Sequence, residues 1–130
     1  MGIGGDIKAE AELGINPKDL QGEKKVPLWL VPKAGLMKAA KVMQLGAAKY
    51  GPFNWRENPI REQVYIDAAS RHLILAENGE DIDEESGAEH YAHVISCMLI
   101  LIDAKVAGNL VDTRQHSPET VALLKSLTED

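Results

Sequence analysis

The most hydrophobic stretch of the sequence is Val94-Ile-Ser-Cys-Met-Leu-Ile-Leu-Ile102. We predict that it forms the second half of a helix that ends at about Lys105. Apolar residues occupy almost every side of this segment, a pattern that a surface helix of a monomer would not show. We therefore expect either the central helix of a bundle or part of a subunit interface. The stretch is far shorter than the roughly 20 residues that a bilayer span needs, so we expect no membrane anchor.

Acidic residues precede this apolar stretch. Asp81 or Asp83 is a suitable N-cap for the helix, and Glu85 would then lie in its first turn, where the helix dipole favours negative charge. With that start, Glu85, Glu89 and His93 follow one another at four-residue spacing and share one helical face. The sequence therefore predicts a face of polar side chains on the same helix as the apolar run.

Three other segments carry apolar residues at helical spacing. They are Pro32–Tyr50, about Ile60 to Glu77, and a short segment that begins after Ser117. Asn78-Gly79 is a plausible terminator of the second, because either residue tolerates a left-handed backbone. The connection that follows is short, so this helix and the apolar helix are predicted to pack as an antiparallel hairpin. No convincing strand pattern is present, and the predicted fold class is all-α.

Two segments between the helices are predicted to be irregular. Val26–Pro32 is apolar and bounded by prolines, which favour an extended backbone. Pro52–Pro59 is predicted to be a loop that holds Phe53, Asn54, Trp55 and Arg56. We expect one domain, with an N-terminal arm at residues 1–27, the main helices at 28–107 and a C-terminal helix at 108–130.

The composition fits one compact globular domain of 130 residues, of which 45% are hydrophobic and 26% charged. The 20 acidic residues outnumber the 14 Lys and Arg, and the formal net charge of -6 argues against nucleic acid as the partner.

Cys97 is the only cysteine, so no disulfide can form within the chain, and we expect it in the core. The N-terminus lacks the pattern of a signal peptide, so we expect a cytoplasmic protein.

Charged residues and histidines are concentrated on the predicted hairpin. Carboxylates on two neighbouring helices offer the hard oxygen ligands that Mg²⁺ and Mn²⁺ prefer. Such a run of acids is also typical of a solvated, well-capped helix start, and the composition does not decide between the two. His72 and His90 lie on apolar stripes, which favours core histidines hydrogen-bonded to a neighbour. One cysteine and scattered histidines do not predict a closed zinc site.

The aromatic residues around Gly51-Pro52 also allow two interpretations. Tyr50, Phe53 and Trp55 fit a hydrophobic plug between helices. Together with the amide of Asn54, they also fit a site that stacks on a nucleobase and binds its edge.

Several motifs occur in a fixed order along the chain. They are Leu30-Val-Pro-Lys-Ala-Gly-Leu36, Gly46-Ala-Ala-Lys-Tyr-Gly-Pro-Phe-Asn-Trp-Arg56, Ala68-Ala-Ser-Arg-His-Leu73, Gly79-Glu80, Asp83 and Glu85-Ser-Gly-Ala-Glu-His-Tyr-Ala-His93. Over about residues 26 to 105, the chain resembles the phage-type dATP/dGTP diphosphohydrolase family, which is related to the MazG-like, all-α NTP pyrophosphatases. The resemblance implies a MazG-like helical bundle that forms a homo-oligomer, as a dimer or a dimer of dimers, and we expect a tetramer.

The resemblance also implies an activity. A Mg²⁺- or Mn²⁺-dependent enzyme would convert a purine dNTP, dGTP or dATP, to the dNMP and so adjust the nucleotide pool during phage replication. The roles implied are metal binding by Asp67, Glu85 and Glu89; phosphate binding by Arg71 with Lys49 or Arg56; orientation or deprotonation of the attacking water by His72 or His93; and binding of base and sugar by Tyr50, Asn54 and Trp55.

The sequence departs from the broader superfamily at two of its paired acidic positions. Ala88 stands where the second pair would end in Asp, and Arg71 falls where the first pair would end in Glu. The alternative function is a non-catalytic helical assembly module, with the apolar helix as its interface. An HD-type phosphohydrolase is disfavoured, because the chain contains no adjacent His-Asp dipeptide.

Overall fold

The computed structural model describes residues 14–128. These residues contain six α-helices, namely α1 (Pro17–Glu23), α2 (Lys33–Tyr50), α3 (Asn54–Glu57), α4 (Glu62–Glu77), α5 (His90–Val106) and α6 (Pro118–Ser126). They also contain two short strands, β1 (Ile60–Arg61) and β2 (Leu110–Val111). The all-α prediction is confirmed. The described part of the chain forms two compact units, residues 14–33 and 34–128.

The first unit holds α1 and a 3₁₀ turn. Asn16 caps α1, since its side chain accepts a backbone hydrogen bond of 2.8 Å. The segment Val26–Pro32, predicted to be extended, contains a 3₁₀ turn at Leu28–Leu30 instead. Lys33 Nζ donates to two carbonyl oxygens of this segment, at 2.7 and 2.9 Å. Several backbone groups of the segment are thus hydrogen-bonded to residues close in sequence. The first 13 residues of the predicted N-terminal arm lie outside the described residues.

In the second unit, α4 and α5 form the antiparallel hairpin that the sequence predicts. At one end, Ile60 beside the start of α4 packs with Leu101 and Ala104 of α5 in the buried core. At the other end, His72 of α4 is hydrogen-bonded to His90 at the start of α5. The two helices therefore contact each other along their length.

A buried serine links α5 to α2. Ser96 Oγ donates to Ala92 O of its own helix at 2.8 Å and contacts Ala39 O of α2 at 3.3 Å. Ala39 and Ala92 are themselves buried, and such small side chains let the helices approach closely. Cys97, expected in the core, is only partly buried beside this contact.

The start of α5 differs from the prediction. The helix begins at His90, and Glu89 is only its N-cap residue. Glu85 is not helical, so Glu85, Glu89 and His93 do not form the predicted helical face. The four-residue spacing predicts a helix, but turn geometry prevails in this segment.

Hydrogen bonds close residues 81–89 into a loop. The backbone of Asp83 accepts from Gly87 and donates to Ala88, both at 2.8 Å. The Asp83 carboxylate accepts from the Ser86 amide at 3.3 Å, so this acid caps a turn and not a helix. Gly87 has a φ of +73°, a left-handed conformation that an α-helix cannot contain and that glycine adopts without strain. Glu85 lies in the exposed part of this loop.

The two strands were not predicted from the sequence. β1 and β2 pair in parallel, with Ile60 opposite Leu110 and Arg61 opposite Val111. Each strand has two residues, which is too few to display the alternating pattern by which a strand is recognised. The pairing joins the start of α4 to the chain that follows α5.

The other helices follow the sequence closely. α2 ends at Tyr50, before Gly51 with a φ of +88°, as the Gly-Pro pair predicts. α6 begins after Ser117, whose side chain accepts from Thr120 N at 3.3 Å. The loop predicted at Pro52–Pro59 contains one helical turn, α3. Among residues 14–128, no helix has the length and hydrophobicity that a membrane crossing requires.

Candidate functional site

A cavity of about 670 Å³ lies between α2, the segment after it, α4 and α5. This volume is within the range of small-molecule sites, which is roughly 300–1,000 Å³. Most of its wall is apolar, and His93 is one of its polar groups. The lining residues are Ala40, Lys41, Val42, Met43, Gln44, Gly46, Ala47, Tyr50, Gly51, Pro52, Phe53, Asn54, Trp55, Tyr65, His93, Ser96, Cys97 and Ile100.

The end of α2 and the turn after it supply the aromatic part of the cavity. Tyr50, Asn54 and Trp55, which the sequence assigned to base and sugar binding, all line it. Phe53 lies against Trp55 with ring centroids 5.5 Å apart. Phe53 itself has a φ of +55°, unusual for a non-glycine residue, and it precedes α3 directly. The tight turn after Gly51 therefore directs several aromatic rings to one place.

Trp55 and Arg56 are held by one carboxylate of α5, and we name these three residues the Asp103 cluster. Trp55 Nε1 donates to Asp103 Oδ2 at 2.7 Å, and Arg56 donates to both carboxylate oxygens, at 2.6 and 2.7 Å. The hydrogen bonds from Arg56 and then from Trp55 lower the pKa of Asp103 to about 2. The same ion pair raises the pKa of Arg56. Arg56 is thus bound to protein and is not among the residues lining the cavity.

Three imidazole rings meet where the end of α4 contacts the start of α5. His72 Nδ1 lies 2.8 Å from His90 Nδ1, and His90 Nε2 lies 2.7 Å from Glu80 Oε2. The His72 ring stacks on the His93 ring, with centroids 4.3 Å apart and planes 4° apart. His90 is fully buried, so it is a core histidine with a hydrogen-bonded neighbour, as its apolar stripe favoured.

His93 connects the rings to the loop. Its Nε2 lies 2.7 Å from Ser86 Oγ and 3.5 Å from Asp83 Oδ2. We name the whole group the histidine cluster, consisting of His72, His90, His93, Glu80, Asp83 and Ser86. The sequence predicts a cap role for Asp83 and no role for Glu80 or Ser86, although the place of these residues between two histidine-bearing helices is the signal that would have found them.

Burial is the main cause of the shifted pKa values in this cluster. It lowers the pKa of His72, with a further contribution from the nearby His93 ring. It also lowers the pKa of His93, although the Asp83 carboxylate opposes the shift. Burial alone would raise the pKa of Asp83, but hydrogen bonds from Ser86 outweigh it and lower that pKa. Both rings are therefore neutral near pH 7 and can accept a proton.

The three predicted metal ligands are not gathered at one place. Asp67 is exposed on α4 and accepts a hydrogen bond from Gln63 Nε2 at 2.7 Å. Glu89 lies 3.8 Å from Lys38 Nζ, and Glu85 is exposed in the loop. Within residues 14–128, no group of three or more His, Cys, Asp or Glu side chains is arranged to hold a metal ion.

A second cavity, of about 350 Å³, lies between α2 and the loop. Lys38 and Lys41 line it together with Ser86 and Glu89, and Lys41 and Gln44 line both cavities. Sequence reasoning missed these two lysines, although their three-residue spacing places them on one face of α2. Lys49 and Arg71, the predicted phosphate-binding residues, are exposed and line neither cavity.

These features define an all-α protein in which a ligand-sized cavity adjoins a cluster of histidines through His93. The family model described as "dATP/dGTP diphosphohydrolase, N-terminal" matches residues 15–114. The chain belongs to this family, which confirms the resemblance seen in the motifs.

A dATP/dGTP diphosphohydrolase of Salmonella phage PMBT28 is 34% identical to this chain over 77 residues. The match covers 59% of this chain and 26% of the relative, so it spans about a quarter of the relative's length. No solved structure matches the chain.

Proposed function

We propose that the protein hydrolyses a purine dNTP, dGTP or dATP, to the dNMP and thereby adjusts the nucleotide pool during phage replication. The observation that carries the proposal is the aromatic-lined cavity of about 670 Å³, which has the neutral His93 in its wall. A nucleoside fits a mostly apolar cavity of this size, with a few polar groups to orient it. The family membership and the activity named for the phage relative support the substrate class.

The base would lie among the aromatic residues. Tyr50 and Trp55 offer ring faces for stacking, and the Asn54 amide offers a donor and an acceptor for the base edge. Because Asp103 accepts the hydrogen bond of Trp55 Nε1, Trp55 would contribute its ring face and not its donor.

The phosphates would extend towards the second cavity. Lys41 lines both cavities and Lys38 lines the second, so two ammonium groups would follow the triphosphate away from the base. Arg71, Lys49 and Arg56 stay predictions for phosphate binding, and Arg56 would first have to leave Asp103.

His72 or His93 would orient or deprotonate the attacking water. A neutral imidazole accepts a proton, and both rings are kept neutral near pH 7 by their lowered pKa values. For dNMP formation in one step, the water oxygen would bond to the α-phosphorus as a water proton moves to the ring nitrogen, the bond from the α-phosphorus to the bridging oxygen would break, and pyrophosphate would depart with the bonding electron pair. Stepwise removal of single phosphates would follow the same course at the γ-phosphorus and then at the β-phosphorus.

We propose that Mg²⁺ or Mn²⁺ is required and arrives bound to the triphosphate. Within residues 14–128 no three acidic, histidine or cysteine side chains are arranged in advance to hold an ion, which favours entry of the ion together with its substrate. Metal binding by Asp67, Glu85 and Glu89 stays a prediction. Glu85 and Glu89 belong to the loop beside the second cavity, and their oxygens suit a hard cation.

We also propose that the chain forms a dimer or a dimer of dimers. Several large apolar side chains of α5 are exposed, among them Tyr91, Ile102 and Val106 at 61%, 64% and 80%. An apolar helix face of this kind is typical of a subunit interface. Sedimentation of the purified chain tests the proposal, and a monomer at micromolar concentration would contradict it.

The activity is tested by incubation with each of the four dNTPs and Mg²⁺ or Mn²⁺, followed by chromatography for dNMP. We expect dGMP or dAMP to form and chelation of the metal to stop the reaction. Glu85→Ala should abolish turnover with an unchanged circular dichroism spectrum, whereas Glu84→Ala, the neighbouring exposed acid, should retain it. Absence of any dNMP would favour the non-catalytic assembly module instead.

A further inference from the structure

Three side chains of the histidine cluster form a continuous line of hydrogen bonds. Glu80 Oε2 lies 2.7 Å from His90 Nε2, and His90 Nδ1 lies 2.8 Å from His72 Nδ1. His90 is fully buried, while Glu80 is 39% exposed. Both nitrogens of the middle ring are therefore committed to side chains at known positions.

The carboxylate decides the direction of these hydrogen bonds. An ionised carboxylate only accepts, so His90 Nε2 must carry a hydrogen and donate it to Glu80. A neutral imidazole has only one N–H, which leaves a lone pair on His90 Nδ1. His72 must then donate from its own Nδ1, and its Nε2 is left without a hydrogen.

The His90 ring has no contact with solvent, and each of its two nitrogens lies within hydrogen-bond distance of one side chain, Glu80 or His72. The His72 ring lies beside it with a centroid separation of 5.1 Å. The charged groups that act on the rings include Glu80, which accepts from His90, and Asp83, which faces His93. Outside the cluster, the charge of Arg71 acts on His72, and those of Lys49 and Glu85 act on His93. Protonation of His90 would reverse the hydrogen bond to His72, so the two states are distinguishable.

Water can reach the remaining nitrogen of His72. Within residues 14–128, His72 Nε2 has no hydrogen-bond partner from the protein. Every buried side-chain nitrogen or oxygen among these residues does have a partner, and His72 is only partly buried. Its Nε2 is therefore accessible to solvent.

We propose that Glu80 and His90 are positioning residues that fix His72 in the Nδ1–H tautomer, so that the basic Nε2 faces solvent. The role of His72 as a base rests on the function proposed above. In that step the water O–H bond breaks and an N–H bond forms at Nε2. The water oxygen bonds to phosphorus, the bond from phosphorus to the bridging oxygen breaks, and the leaving pyrophosphate, or phosphate if the groups leave stepwise, takes the bonding pair. The lone pair of His90 Nδ1 then stabilises the charged His72 ring through its Nδ1–H.

Nitrogen-15 spectroscopy of the uniformly labelled full chain tests the tautomer directly. Long-range proton–nitrogen correlation at about pH 8, where a histidine of ordinary or lowered pKa is neutral, distinguishes a ring nitrogen that carries hydrogen from one that does not. The ring signals of His72 are assigned by comparison with the His72→Gln variant, which lacks them. We expect hydrogen on Nδ1 of His72 and none on Nε2; the opposite tautomer would overturn the proposal.

Glu80→Gln tests the part played by the carboxylate. An amide both donates and accepts, so this variant should lose the single tautomer and show a mixture at His72. Glu77→Gln changes an exposed acid at the C-terminal end of α4 and should leave the His72 signals unchanged. If Glu80→Gln also left them unchanged, Glu80 would not be the residue that sets the direction.

Kinetic measurements distinguish a positioning role of His90 from a packing role. His90→Leu should lower kcat about tenfold to a hundredfold with little change in KM, because His72 loses its acceptor. His90→Asn should restore part of kcat, because its side-chain oxygen can replace the Nδ1 lone pair. Equal losses in both variants would assign His90 a structural role only. If the wild-type chain hydrolyses no dNTP, the proposed function fails. The spectra still test whether Glu80 and His90 fix the tautomer of His72.

Discussion

Two polar clusters lie towards opposite ends of α5, and they differ in whether their hydrogen-bond donors can also act as acceptors. In the Asp103 cluster, every hydrogen bond runs from a permanent donor, Trp55 or Arg56, to one carboxylate. In the histidine cluster, the rings of His72 and His93 can each donate or accept, and burial keeps both neutral. About 20 Å of helix separates Asp103 from His90.

This difference indicates which of the two clusters can take part in proton transfer. The Asp103 cluster fixes α3 to α5 with donors that do not lose their protons near pH 7, so it supports the aromatic wall of the cavity without taking part in proton transfer. The histidine cluster can take up and release a proton near neutral pH, and His93 lies in the cavity wall. Four predictions test this division, beginning with the largest effect.

The largest effect is expected on hydrolysis when His93 is changed to Ala. His93 lies in the cavity wall and stacks on the proposed base His72, and loss of a general base or of its placement typically lowers kcat by about 10² to 10⁴-fold. The rate of dNMP formation under saturating dNTP measures the effect. His116→Ala is the matched control, because His116 is exposed and bound only to Asp112. Full activity of His93→Ala would show that neither the His93 ring nor its stacking on His72 is needed for hydrolysis.

The second effect is on stability, when Asp103 is changed to Ala. Trp55 and Arg56 then lose their shared acceptor, and we expect Tm to fall by about 10 °C. Arg56→Ala should lower Tm by roughly half as much, since the Trp55 bond to Asp103 survives. Thermal unfolding followed by circular dichroism gives both values. An unchanged Tm in Asp103→Ala would mean that this cluster does not secure α3.

The third and smaller effect concerns Gly79, where α4 ends and the loop to the histidine cluster begins. Gly79 has a φ of +100°, and its amide and that of Glu80 donate back to α4 carbonyls at 3.1 and 3.0 Å. A Cβ there would meet no atom within 4 Å, so only backbone strain opposes Gly79→Ala. We expect a loss of about 1 kcal/mol, or about 4 °C in Tm.

A glycine inside a helix gives the control for this variant. Gly46 of α2 is also open to a Cβ, but its backbone is helical. Gly46→Ala should therefore leave Tm unchanged or raise it by a few degrees. Equal shifts in the two variants would contradict the assigned strain at Gly79.

The sequence predicted the long elements and missed the short ones for a physical reason. α2 and α4 display several turns of apolar spacing. Gly51 and Gly79 follow their ends with a positive φ, a local preference of glycine that the sequence itself shows. β1 and β2 have two residues each, so their pairing depends on where the hairpin brings distant segments. Tertiary placement of this kind leaves no periodic signal.

The site was predictable where the chemistry is local and not where it is long-range. Tyr50, Asn54 and Trp55 are close in sequence and line one cavity, as their clustering indicated. The pairing of Glu80 with His90 and of Ser86 with His93 depends on a loop that was mistaken for the first turns of a helix. Because carboxylates are typical of helix starts, Asp83 gave no local sign that it caps a turn.

The smallest effect is the pH dependence of stability, which should differ between the clusters. His72 and His93 have lowered pKa values when folded, so the unfolded chain binds protons first as the pH falls below about 6.5. Stability should therefore decline below about pH 6.5, by about 1 to 2 °C in Tm per pH unit. Asp103 acts in another window: its folded pKa is about 2 against an ordinary 3.8, so its contribution is present above 3.8 and is lost as the pH falls towards 2.

Two variants distinguish the pH ranges in which the two clusters affect stability. His93→Gln should flatten the decline that begins near pH 6.5 and leave the acid one in place, whereas Asp103→Asn should flatten only the decline below 3.8. Asp112, whose pKa is also lowered by hydrogen bonds from Arg114, contributes equally to both variants and cancels from the difference. If His93→Gln changed the acid window, or Asp103→Asn the neutral one, the two clusters would be coupled through α5 and the division of labour between them would not hold.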